Sequence, residues 1–161
     1  MAPQIFIFKY FWVIALFFTL LNTIIFKFRS GKYIKEKPEL KEGYDRLILG
    51  YGFWMSLPFL IMGFGIVSGN VSNVLAFFRP RDGNPYVLAF FGCIVSEWIL
   101  TIYWVFFRNG AETLCQYPGF LRGMPSNPTM VKGFTLLCIA GGAVALFMFF
   151  SGFNPAPPLV K

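Results

Sequence analysis

Four apolar runs, each long enough to cross a bilayer as a helix, constrain this chain more than any other feature. The hydrocarbon core is about 30 Å thick and an α-helix rises about 1.5 Å per residue, so one crossing needs roughly 20 apolar residues. Runs of that kind lie at approximately Ile5–Phe26, Leu47–Ser68, Tyr86–Phe107 and Met130–Gly152. Of 161 residues, 57% are hydrophobic, 13% are charged and 22 are Phe, which is more apolar surface than a soluble domain of this length can bury. The expected fold is all-α, a single four-span membrane domain over residues 1–161 forming a bundle of four transmembrane helices. The first run is too long for a typical signal-peptide core and no small-x-small cleavage site follows it, so it is expected to be a retained span.

Orientation follows from where Lys and Arg fall. The connector after the first span carries Lys27, Arg29, Lys32, Lys35, Lys37, Lys41 and Arg46, and the one after the third carries Arg108, Arg122 and Lys132. Those ten face only four on the other side, Lys9, Arg79, Arg81 and Lys161. The positive-inside rule then predicts two cytoplasmic loops with both N- and C-termini outside. The net charge of +7 is thereby a topology signal. Nucleic acid is not an expected partner, because no recognition motif or aromatic platform accompanies the basic residues. Anionic headgroups are the natural contact for the first loop.

The chain has no His and three Cys. Cys93 and Cys138 fall inside spans and Cys115 in a loop, without a CxxC pair, so neither a disulfide framework nor a thiol-disulfide enzyme is indicated. Without His, the usual haem ligand, the commonest zinc and copper ligand and the usual neutral-pH general base are missing. The sequence requires no cofactor and no metal, while bound lipid, quinone or pigment stays open.

The connectors have their own signals. The first, KFRSGKYIKEKPELKEGYDR, interleaves Glu36, Glu39, Glu42 and Asp45 with the basic residues and reads as a solvated loop or a docking surface. Val71–Phe78 is expected as an amphipathic turn in the interface, followed by a turn at RPRDG. Asn84-Pro85 and Asn127-Pro128 are helix starts, since Asn accepts from a free N–H and Pro loses nothing at the first helical position. Ala111–Tyr117 is expected as a short interfacial helical segment, punctuated by Gly110, Pro118, Gly119, Gly123 and Pro125.

Within the spans, Pro58 is expected to kink the second helix, with Ser56 satisfying a freed carbonyl, and to serve as a hinge. Gly65 and Gly69 form a GxxxG pair, and Gly141, Gly142 and Ala145 put small residues in span four. In lipid, small residues let backbones approach, so spans two and four are expected to carry close helix contacts, within the bundle or to another subunit.

Glu97 stands near the middle of the third span. An ionised side chain there is costly, so the expected form is a neutral acid donating one hydrogen bond. Its depth matches that of Ser56 on the second span, the first candidate partner. Ser96, Thr101, Thr19 and Asn22 are the others. The functional reading of Glu97 is proton or cation exchange, and the structural reading is helix-to-helix or subunit contact.

FKFRSGKYI after span one, GYGFW opening span two, FFRPRDGNP before span three and FFRNGAE after it together resemble an uncharacterised family of small bacterial four-span inner-membrane proteins. The resemblance implies the architecture and an inner or equivalent energy-transducing membrane, and it implies no activity. In length, basic charge and long first loop the chain is also similar to the small four-span glutathione and eicosanoid enzymes. Their Arg- and Glu-rich motif at the start of span two is absent, since that place reads EGYDRLILGYGFW, and no catalytic residue carries over.

The functional expectation is a non-enzymatic accessory or scaffolding subunit of a larger membrane complex, with lipids and other membrane subunits or further copies of itself as partners. The alternative is a small proton-coupled transporter or channel working through Glu97. Third comes an interfacial enzyme using Arg108, Glu112 and Tyr117.

Overall fold

The computed structural model describes residues 3–119 and 127–152. Among them every element is helical, and four helical stretches are long and apolar enough to cross a membrane, Phe6–Glu36, Pro38–Val67, Pro85–Phe107 and Pro128–Ser151. Arg122, Gly123, Pro125 and Lys161 lie outside the described residues.

The first helix, α1 (Pro3–Glu36), has 34 residues and is therefore about 50 Å long, well beyond the hydrocarbon thickness. The expected loop after Phe26 is instead a continuation of this helix. Lys and Arg are good helix formers, and the lone Gly31 costs only about 1 kcal/mol. Ser30 keeps its hydroxyl on the Lys27 carbonyl at 2.9 Å. The stop comes at Lys37, where Pro38 disfavours helical backbone for the residue before it, and Lys37 turns to φ −140°, ψ 83°. A 3₁₀ turn, Pro38–Leu40, then leads straight into α2 (Lys41–Trp54). The connector is thus a helical extension plus one tight turn.

Pro58 has the predicted effect. The second span is split into α2 and α3 (Leu57–Val67) at Met55 and Ser56. Both residues stay right-handed, at ψ −15° and −26°, so the break is a kink in which Ser56 N–H donates three residues back to Phe53 at 3.1 Å. The Ser56 hydroxyl donates to the Gly52 carbonyl at 2.6 Å, the acceptor that the shortened turn leaves over.

Between α3 and the next span the chain forms the expected turn with one apolar face, and that face is turned into the bundle. Val74–Phe78 is a 3₁₀ turn capped by Asn73, and Val71, Val74 and Phe77 are buried with Met62, Ile66, Val87 and Phe91 in the larger core. Their apolar side chains plug that end of the bundle. After a second 3₁₀ turn, Pro80–Asp82, Asn84 accepts from Tyr86 N–H at 3.0 Å and starts α4 (Pro85–Ile102) as expected. Its last turn widens to a π-helix, Tyr103–Phe107.

The short helix α5 (Gly110–Gln116) is the helical segment expected there, with Gly110 and Ala111 buried and the rest half-buried or exposed. Ala111 is fully buried with Val105 and Val131 in a second, smaller core. The last helix, α6 (Pro128–Ser151), begins under Asn127, which accepts from Thr129 N–H at 2.9 Å. It is secured at its two ends. Lys132 donates to Glu112 at 2.8 Å, and Arg81 donates to the Ser151 carbonyl at 3.2 Å. Its outward face stays apolar and open, with Leu137 and Phe147 about 70% exposed, as suits a helix bordered by hydrocarbon.

Candidate functional site

Small residues decide which helices touch, though not by the motif read from sequence. Gly65 does make a close contact, since a Cβ there meets Tyr86 Cβ of α4 at 3.0 Å. Gly69 does not belong to the same helical face. It follows the end of α3 with φ +76° and open space before it, so its role is the left-handed turn that ends a helix. In α6, Gly142 packs under the Trp98 ring, 2.5 Å from a notional Cβ, while Gly141 faces nothing within 4 Å. Two unpredicted contacts matter as much, Gly63 against the Trp12 indole and Gly52 against Thr23. Both tie α1 to the second span.

Glu97 is half-buried on α4. Its partner is on its own helix, one turn back, where the Cys93 thiol donates to Oε1 at 3.6 Å. The expected bond from Glu97 to Ser56 is not formed, and the Ser56 hydroxyl donates to the Gly52 carbonyl of its own helix. The same local habit claims the other hydroxyls. Ser96, exposed, donates to Gly92 at 2.8 Å. Thr19 donates to Ala15 at 3.0 Å. Thr101 and Asn22 are exposed. Ser and Thr in helices satisfy themselves on the preceding turn at little cost, so equal depth does not produce a cross-helix polar cluster.

Beside Glu97, the face of α4 bearing Phe91 and Trp98 turns to a cavity of about 300 Å³ that is walled by aromatic and aliphatic side chains of α1, α3, the Val74–Phe78 turn, α4 and α6, with Ala145 among them. Phe91 meets Phe149 with ring centroids 6.1 Å apart, and Phe78 meets Phe149 at 5.3 Å. The spacing of Phe90, Phe91, Ile94 and Trp98 along one helix face was a visible signal for such a wall. The opposing wall comes from four other elements, which no spacing reveals.

Near the basic end of α1 a second assembly gathers around Tyr44, which is 1% exposed. Its hydroxyl donates to the Pro118 carbonyl at 2.7 Å, and its ring meets Tyr117 edge-on at 5.0 Å. Gly43 lets the Tyr117 hydroxyl lie against the α2 backbone, and Gly119, at φ +83°, sits against Tyr33 of α1. Tyr117 is therefore a packing residue here, Glu112 is an ion-pair partner, and Arg108 is exposed. The structure does not gather these three into one site.

Lys132 beside Glu112 holds its carboxyl below the usual glutamate range, mainly through their hydrogen bond. A carboxyl lowered on folding stabilises the fold above its unfolded pKa, and that contribution is lost as pH falls through the folded value. Acidification from pH 7 to 3 is expected to loosen α5 from α6 in the wild type. In Glu112→Gln this step should be missing, as read from thermal midpoints in mild detergent. Parallel pH curves for the two proteins would refute it.

Compared with models of protein families, with curated proteins and with solved structures, the chain matches none of them.

Proposed function

We propose that this chain is a non-enzymatic accessory or scaffolding subunit of a larger membrane complex, seated in a bacterial inner membrane or an equivalent energy-transducing one. The basic end of α1, with α5, lies in the cytoplasm by the positive-inside rule, and both termini lie outside.

The observation that carries this reading is a set of outward glycines. Gly50, Gly92, Gly133 and Gly141 stand in the spanning helices with nothing within 4 Å of where a side chain would be. The bundle does not use them for its own packing. In lipid, where hydrophobicity does not drive helices together, such positions let the backbone of a neighbouring subunit come close. The cytoplasmic extension of α1 gives a soluble partner a charged helix to dock on, with Lys27, Lys32 and Lys35 beside the exposed Phe28.

The test is the native mass and composition of the particle released from its own membrane by a mild detergent. Partners in fixed stoichiometry are expected, and Gly141→Leu or Gly92→Leu should strip them from an otherwise folded chain. A lone monomer, or a homo-oligomer without other chains, would end the reading.

A second reading, a small proton-coupled transporter or channel, is favoured by the break at Met55–Ser56, since transporters place interrupted helices near mid-membrane. It requires a pH-dependent flux in proteoliposomes that Glu97→Gln abolishes. Under the subunit reading, Glu97→Gln leaves the particle's composition unchanged.

A further inference from the structure

The cavity between α4 and α6 has features that a merely loose core does not need. Its inner limit is the Trp98–Gly142 contact, where the indole lies over the glycine. The opposite limit is the Phe78–Phe149 ring pair. From Gly142 to Phe149 is about 10 Å of helix, so the cavity runs along α6 for about two turns as a channel that is open on the side of the exposed Ala145. Its volume of about 300 Å³ equals roughly ten groups of the size of a water or a methylene, at about 30 Å³ each.

Its polar mouth is as specific as its wall. Phe78 is followed at once by the turn Pro80–Asp82, from which the exposed Arg81 reaches α6 and donates one N–H to the Ser151 carbonyl. A guanidinium has five N–H donors in a planar fork, so most remain for an anion. Asp82, in the same turn, is exposed and offers no donor. The turn therefore holds a phosphate-matching fork on Ser151, two residues past Phe149 at the Phe78–Phe149 end of the aromatic channel.

Membrane depth identifies the occupant. Water does not fill an aromatic channel without polar partners, whereas hydrocarbon chains border every outward face of this bundle. Leaving the bilayer for the channel brings a chain no hydrophobic gain, since both are apolar. What favours entry is dense contact with the rings together with a charge-assisted pair at the headgroup.

We propose that the cavity between α4 and α6 holds one hydrocarbon chain of an anionic membrane phospholipid whose phosphate is bound by Arg81. This goes beyond the subunit reading and does not depend on it.

The test uses the full chain, delipidated in mild detergent, reconstituted with equal parts of phosphatidylglycerol and phosphatidylcholine, re-extracted and weighed by native mass spectrometry. The wild type is expected to keep one phospholipid, with phosphatidylglycerol preferred by about fivefold. Arg81→Gln should keep a lipid without that preference. Ala145→Phe, which puts a ring into the channel, should lower retention by about tenfold or more. The proposal is overturned if wild type keeps no lipid, if Ala145→Phe keeps as much as wild type, or if the preference survives Arg81→Gln. Material taken directly from the native membrane that carries a quinone or other neutral isoprenoid in this place would overturn it too. Should Ala145→Phe fail to fold, the wild type and Arg81→Gln decide between these outcomes alone.

Discussion

Gly63→Val is expected to be among the most damaging single changes in this chain, lowering its stability by about 1–3 kcal/mol or more. A Cβ at this position lies 2.5 and 2.7 Å from two atoms of the Trp12 ring, closer than carbon atoms approach. The obstacle is a rigid indole, which has no flexible end to swing away. Trp12 itself leans on the larger core, which includes Met62 and Ile66, so moving it disturbs α3 twice. Since α1 joins the second span through this contact, the Thr23–Gly52 contact and the Phe26–Tyr51 ring pair, the change should loosen the first helix from α3 at the level of Trp12. Unfolding midpoints in mild detergent give the measurement. Gly50→Val is the control, measured on the purified chain without partners, because nothing of this chain lies within 4 Å of that position. Equal midpoints for the two variants would show that α1 does not depend on Gly63.

What could be read from the sequence was whatever depends on neighbours in the chain. Asn84-Pro85 and Asn127-Pro128 start helices because the capping oxygen and the N–H it serves are two residues apart. Pro58 breaks the second span because its ring and missing N–H act within one turn. The four spans follow from length and hydropathy alone. The first connector stays helical although hydropathy falls at Lys27, because helices end where the backbone is stopped, which here is Pro38. Contacts across the bundle needed more than spacing. Gly65 and Gly69 satisfy the GxxxG pattern, yet one lies within α3 and the other just past its end. Ser56 and Glu97 share a depth, but depth fixes height along the bundle and not direction around a helix. Ser56 points back along its own backbone. The cavity was invisible for the same reason, since its walls come from helices far apart in sequence.

Tyr44→Ala is expected to cost about 3–5 kcal/mol, the range for losing a large buried aromatic ring, and to loosen the basic end while leaving the larger core in place. Tyr44 is 1% exposed and joins three segments there: its own helix, the Tyr117–Pro118 stretch after α5, and α1 through Tyr33 and Gly119. The ring and the hydroxyl contribute unequally. Tyr44→Phe keeps the edge-on contact with Tyr117 and loses only the bond to the carbonyl of Pro118, an exposed residue, so about 1 kcal/mol is expected. Two readouts separate a local loosening from global unfolding. The detergent unfolding midpoint reports the whole bundle, and the rate of maleimide labelling at Cys115, half-buried in α5, reports this end. In Tyr44→Ala labelling should accelerate under conditions where the midpoint shows the bundle still folded, because the second core at Val105, Ala111 and Val131 loses its outer support. Equal losses in the Ala and Phe variants would make the hydroxyl the joint. Unchanged labelling would mean that α5 is held without the tyrosine cluster, through contacts such as those of Lys132 and Val131.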